Sequence, residues 1–131
     1  MPEHATWESV YRFLVQLPET EFDPGRMVFP NGVVRVHGKV IAHPAGGDRG
    51  SPPDALPGEE FVFVKAPPAE RKALLHEDPA TFFVTPHYAN APGVIVRLSR
   101  VDPDALSEIL VDAWRTVAPK RLVKAYDQSA M

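Results

Sequence analysis

From Glu60 to Lys124 the chain switches repeatedly between the strand and helix hydrophobic periods, which restricts it to folds that mix both elements. The apolar run Glu60-Phe61-Val62-Phe63-Val64-Lys65 reads as a strand. Pro67-Pro68-Ala69-Glu70-Arg71-Lys72-Ala73-Leu74-Leu75 then opens a helix on proline, which ends by Asp78-Pro79 because the residue before a proline is pushed out of helical geometry. Phe82-Phe83-Val84 is a short apolar segment, and Pro86 to Gly93 reads as a turn or wing leading into a second strand, Val94-Ile95-Val96-Arg97-Leu98. Asp102 as cap and Pro103 in the first turn start a long amphipathic helix ending in Ala118-Pro119-Lys120-Arg121-Leu122. Along it Leu106, Ile109, Leu110, Ala113 and Val117 form a stripe that should lie against the sheet.

The first half supplies the remaining elements. Thr6 caps a helix from Trp7 to about Leu17, with Trp7, Val10, Tyr11, Leu14 and Leu17 at helical spacing, and Pro18 stops it. Glu19 to Gly25 is acidic and turn-rich, a loop leading to a first strand region near Met27 to Phe29. Val33 to Ala42 reads as a hairpin turning at His37-Gly38, since glycine accepts the positive backbone angle of a two-residue turn. In that register Val36 opposes Lys39, Arg35 opposes Val40 and Val34 opposes Ile41. Arg35 and Val40 then share one face, and Val34, Val36, Lys39 and Ile41 the other. Residues 44–58, dominated by Pro, Gly, Asp and Ser, read as a mobile surface loop, and 1–4 and 126–131 as flexible ends. The whole chain, 1–131, fits one domain. Its order of elements predicts an α+β two-layer sandwich, with a mainly antiparallel sheet packed by N-terminal, middle and C-terminal helices.

These segments carry a resemblance. Phe29-Pro30 with the hairpin Val34-Arg35-Val36-His37-Gly38-Lys39-Val40-Ile41-Ala42, the helix start Pro67-Pro68-Ala69-Glu70-Arg71 and the tail Pro119-Lys120-Arg121-Leu122 resemble the MmcQ/YjbR-like proteins, over nearly the whole chain. The resemblance implies an α+β sandwich loosely similar to frataxin and to a double-wing DNA-binding domain of a phage transcription factor. A frataxin-like iron role would need an acidic ridge on the first helix and edge strand, and here Glu8 is followed by Arg12.

Chemistry is constrained mainly by what the sequence lacks. There is no cysteine, so thiolate nucleophiles, disulfides and cysteine-based zinc sites are excluded. His4, His37, His43, His76 and His87 are scattered without a paired-ligand motif, and His76-Glu77-Asp78 reads as a solvated helix end. No serine lies in a Gly-x-Ser-x-Gly elbow, and Gly46-Gly47-Asp48-Arg49-Gly50 lacks the lysine of a phosphate loop. The expectation is a non-catalytic protein without metal or cofactor. No leader pattern and no apolar run long enough for a bilayer are visible, which predicts a cytoplasmic protein without a membrane partner.

Binding is the remaining reading. A net charge of −3 and a pI near 5.9 mean that any nucleic-acid affinity must come from a local basic face. Arg35, Lys65 and Arg97 can share an open sheet face with Phe61 and Phe63, Lys39 adds a cation from the hairpin, and Lys120 and Arg121 form a second cluster with Arg115 and Lys124. Double-stranded DNA, held through phosphate contacts by this face and its wings, is the expected partner. The bland alternatives are core phenylalanines and cations that complement the end of the last helix. A small molecule in an apolar pocket is the other functional alternative, rimmed by His87 and Tyr88 with Trp7 or Trp114.

Overall fold

A computed structural model describes residues 4–25 and 29–129. The first helix, α1 (Trp7–Leu14), begins with a reciprocal cap: the Thr6 hydroxyl accepts from the Ser9 amide at 3.1 Å, and Ser9 Oγ accepts from the Thr6 amide at 2.8 Å. It stops one turn short of Leu17, which nonetheless stays buried.

The segment expected to be an acidic loop contains a strand, β1 (Thr20–Asp23). Thr20 is buried and Phe22 packs on the core, while Glu21 is exposed, so an edge strand hides its acids in plain alternation. Of the strand region expected near Met27 to Phe29, residues 26–28 lie outside the described residues and Phe29 is in no strand.

The hairpin between β2 (Val33–Val36) and β3 (Lys39–Ala45) turns at His37 and Gly38, with φ of 50° and 77°, the left-handed pair that a two-residue turn needs. Val36 pairs with Lys39 and Arg35 with Val40, as expected. Val34 pairs with Ala42 rather than Ile41, because a bulge inserts one residue there. Both Ile41 and Ala42 thereby reach the core.

A short turn of helix, α2 (Gly47–Gly50), precedes β4 (Phe61–Lys65), α3 (Pro68–Glu77), β5 (Phe82–Phe83), a 3-10 turn (Pro86–Tyr88) and β6 (Gly93–Arg97). The sheet order is β1-β2-β3-β4-β6-β5, every pairing antiparallel. The expected long C-terminal helix is two helices, α4 (Pro103–Val117) and α5 (Lys120–Ser129). Ala118 is extended at ψ 149°, the geometry a following proline imposes, and the chain restarts its helix after Pro119. The end expected to be loose from residue 126 is helical through Ser129, with Tyr126 packed at 5.3 Å from the fully buried Trp114.

Helices α1, α3, α4 and α5 cover one face of the sheet. There Val34, Val36, Ala42, Val62, Val64, Val94 and Val96 meet Leu106, Leu110, Ala113 and Trp114. The opposite face is closed as well. Val33, Phe61, Phe63 and Ile95 point to it, are no more than 4 % exposed, and stand apart from the main core. Part of its roof is the segment between β3 and β4, whose Asp54 and Glu59 hold Arg97 over Phe61, while His43 and Tyr88 stack on Phe63.

Candidate functional site

Strand pairing does place Arg35, Lys65 and Arg97 on a common face, the one opposite the helices. Arg35 lies across from Val40, Lys65 from Gly93 and Arg97 from Phe61. Yet Phe61 and Lys65 bracket β4, so Arg97 and Lys65 stand at opposite ends of the strand.

Arg97 is the clearest departure from the expected phosphate contacts. Its side chain is 4 % exposed, and its guanidinium is fully engaged by the roof. Nε and Nη2 donate to the two carboxylate oxygens of Glu59 at 2.5 and 2.7 Å, Nη1 donates to the Asp54 carboxylate at 3.1 Å, and Nη2 also reaches the Asp54 carbonyl. Ser99 Oγ and the Leu56 amide donate to Glu59 as well. These bonds hold the Glu59 carboxyl down from 4.5 to about 2, chiefly through the Arg97 hydrogen bonds. Arg97 therefore pins the 54–59 segment to the sheet and has no donor left for a phosphate.

The other expected cations scatter. Arg35 is half-buried, with its guanidinium 5.6 Å from the Phe29 ring centre and a buried Nε that has no acceptor among the described residues. Lys65 is half-buried beside His43. Lys39 is exposed at the hairpin tip, on the face of its partner Val36. Lys120 and Arg121 are exposed in the first turn of α5. That is the positive end of a helix dipole, so the charge complementarity expected of a helix C-terminus does not account for them. Arg121 sits 3.5 Å from Glu19, which also accepts from His37 at 2.6 Å.

What this face carries instead is a row of rings. Phe29 and His43 have centres 4.8 Å apart, His43 and Phe63 5.2 Å, and Phe63 and Tyr88 5.4 Å, the last two pairs nearly parallel at 26°. His87 meets Tyr88 edge-on at 5.0 Å. The row borders a cleft of about 710 Å³ walled by Phe29, Asn31, His43, Arg49, His87 and Tyr88. His43 Nδ1 donates to the Pro44 carbonyl at 2.9 Å, which leaves Nε2 as the acceptor. Burial lowers the His43 pKa, the hydrogen bond to Pro44 opposes this, and the Lys65 charge adds to the lowering. Burial also raises the Tyr88 phenol, with Arg49 opposing it.

Scaffold contacts fix these side chains. The Arg71 side chain, from the Pro-Pro-x-Glu-Arg helix start, donates to the carbonyls of Gly93 at 3.0 Å and Ala89 at 2.7 Å, clamping the turn that carries Tyr88. Thr85 Oγ1 donates to the Arg49 carbonyl, tying α2 to the same turn. His87 and Tyr88 thus rim a cleft as the sequence suggested, but Trp114 is deep in the core and Trp7 lines an adjoining cavity. His43 and Arg49 were missed. The available signal was a histidine flanked by apolar residues at the end of a strand.

A single antiparallel sheet with four helices on one face and a loop roof on the other defines an α+β domain of the kind the motifs suggested. The family model described as YjbR matches residues 15–116, and the chain belongs to the YjbR family. Uncharacterised proteins from Mycobacterium bovis and from two strains of Mycobacterium tuberculosis are each 41% identical to it over 54 residues. The match covers 41% of this chain, which spans 42% of the length of these curated relatives. Among the described residues no helix is long and apolar enough to cross a membrane.

Proposed function

We propose that this YjbR-family domain binds a planar, anionic small molecule in the cleft beside His43 and Tyr88. The observation that carries this reading is that His43 and Tyr88, both stacked on the buried Phe63 ring, share one concavity of about 710 Å³ with Arg49. Near-parallel rings offer a stacking surface for another flat ring, and Arg49 with His87 supplies cationic or donor groups for an anionic substituent. The volume lies within the range of small-molecule sites, roughly 300–1,000 Å³.

Calorimetry with adenosine monophosphate, flavin mononucleotide and a naphthalene sulfonate tests it. At least one should bind, and Tyr88→Ala should weaken that binding about tenfold, the equivalent of one stacked ring at about 1.4 kcal/mol. Arg49→Gln should weaken it and flatten its salt dependence. Binding indifferent to both substitutions, or no binding at millimolar ligand, overturns the assignment.

Duplex DNA is the second reading, favoured by one arrangement. Exposed Lys39 lies at the hairpin tip, and Glu19 ties that tip, through His37, to Arg121 in the first turn of α5. On this reading the domain retards duplex DNA at low salt and Lys39→Glu with Lys120→Glu abolishes the shift; no retardation at low salt removes it. Neutralising Arg97 is not a surface test, because that side chain is buried.

A further inference from the structure

A second cavity, of about 600 Å³, adjoins the first. Pro30, Asn31, Pro44 and Ala45 line both, so the two concavities share one wall rather than occupying separate parts of the molecule. Their chemistry is opposite. The first holds Arg49 and His87, whereas the second is bounded by Trp7, Tyr11, Phe22, Glu59 and Glu60.

Glu59 is committed to Arg97, but Glu60 is exposed and has no cationic partner among the described residues. Among the described residues its carboxylate accepts one hydrogen bond, a long one, 3.4 Å from the Trp7 amide. Beside it the Tyr11 and Phe22 rings stack at 4.0 Å, and both are only partly buried. Aromatic faces next to an unpaired carboxylate suit a cation, through ring quadrupole and charge together. Sulfate, phosphate or another carboxylate would be repelled there.

We infer that the two cavities are the two ends of one site and that its ligand is bipolar: an aromatic anion at the His43–Tyr88–Arg49 end, carrying an ammonium arm that reaches Glu60 and the Tyr11–Phe22 stack. The inference rests on the cleft reading above and adds the positive arm. A one-ended aromatic anion leaves Glu60 and its neighbouring rings without a role in binding. A bipolar ligand uses both charges and both sets of rings.

A matched pair of fluorescent probes separates the possibilities: aminoethylamino-naphthalene sulfonate, with a free ammonium, and its N-acetylated form, with the same ring and anion but no cation. The parent protein should bind the ammonium form about tenfold more tightly, the size of one charge-assisted contact. Glu60→Gln, at an exposed position, should erase that preference while leaving the acetylated probe's affinity unchanged, and Tyr88→Ala should weaken both probes. Equal affinities in the parent, or a preference that survives Glu60→Gln, overturn the bipolar site and leave the aromatic cleft standing. Failure of both probes to bind overturns the bipolar site; if adenosine monophosphate and flavin mononucleotide fail as well, or binding is unaffected by Tyr88→Ala, the cleft itself falls with it.

Discussion

Arg97→Ala is expected to lower the free energy of unfolding by about 3–5 kcal/mol, the range for removing one partner of a buried ion pair. The reason is the carboxylate left behind. Glu59 has a side chain only 5 % exposed, and without the guanidinium it must stay charged in a poor solvent, take up a proton, or drag the roof off the sheet. Urea unfolding of the two proteins checks the size, and faster proteolysis within residues 52–59 checks the route. The paired replacement Arg97→Met with Glu59→Leu should cost far less than Arg97→Ala alone, because no buried charge is orphaned. The same pair sets an acid limit. Glu59 has a folded pKa of about 2 against 4.5 for the free group. A depressed carboxylate pKa means that its contribution is complete above pH 4.5 and is lost as the pH falls from there toward 2. The difference in urea midpoint between the parent and Glu59→Gln should therefore shrink steadily across that interval.

That ion pair also shows where sequence reading ran out. The partners of Arg97 lie 38 and 43 residues away along the chain, Asp54 inside the stretch whose composition reads as a surface loop and Glu59 just beyond its end. Local pattern carries no trace of a long-range charge pair. The runs themselves did carry a warning. Phe61 to Val64 and Val94 to Val96 have no polar alternation, the mark of strands buried on both faces, whereas an open face would show polar residues at every second position. Phe61 and Phe63 were expected beside cations on open ground, and both are buried. The parity argument that put Arg35, Lys65 and Arg97 on one side was sound; the assumption that this side meets solvent was not.

Where local chemistry decides, the sequence was informative. A β-branched run on each side of His37-Gly38 defined the hairpin and the faces of Arg35, Val36, Lys39 and Val40. Asp102 caps α4 by accepting from the Ala105 amide at 3.0 Å, and Pro103 follows in the first turn. The bulge opposite Val34 was hidden, since nothing in Val40-Ile41-Ala42 distinguishes an extra residue from a paired one. Pro119 follows the last stripe residue, Val117, and its restriction on Ala118 divides two helices where the sequence pattern suggests the end of one. For the site, His87 and Tyr88 were visible because prolines and glycine mark their turn. His43 and Arg49 were not, because their roles arise only when β3, α2 and the 3-10 turn converge.

Gly93→Ala is the second substitution expected to have a large effect, about 3 kcal/mol of destabilisation, and its cause is space rather than backbone angle. A Cβ on Gly93 would overlap the Val64 carbonyl oxygen and lie 2.8 Å from Phe63 Cζ. Neither neighbour yields easily. Val64 and Lys65 are fixed by the β4–β6 ladder, which Gly93 itself begins opposite Lys65, and the Ala66 amide extends the pairing to the Pro92 carbonyl. Overpacking of a rigid site typically costs about 1–3 kcal/mol, and a backbone oxygen in a ladder puts this position at the upper end. Gly38→Ala is the contrasting control. Gly38 has φ of 77° but nothing within 4 Å of its added carbon, so only backbone strain of about 1–2 kcal/mol is expected. The two should also differ in binding. Relief of the Gly93 clash must push on Phe63, the middle ring of the row, or on the turn that Arg71 clamps through the Gly93 carbonyl. A folded fraction of Gly93→Ala should then bind the naphthalene probes several-fold more weakly, while Gly38→Ala, at the hairpin tip, leaves them unchanged. Equal loss of stability in the two variants would mean that the close approach of β6 to β4 is not what this glycine provides.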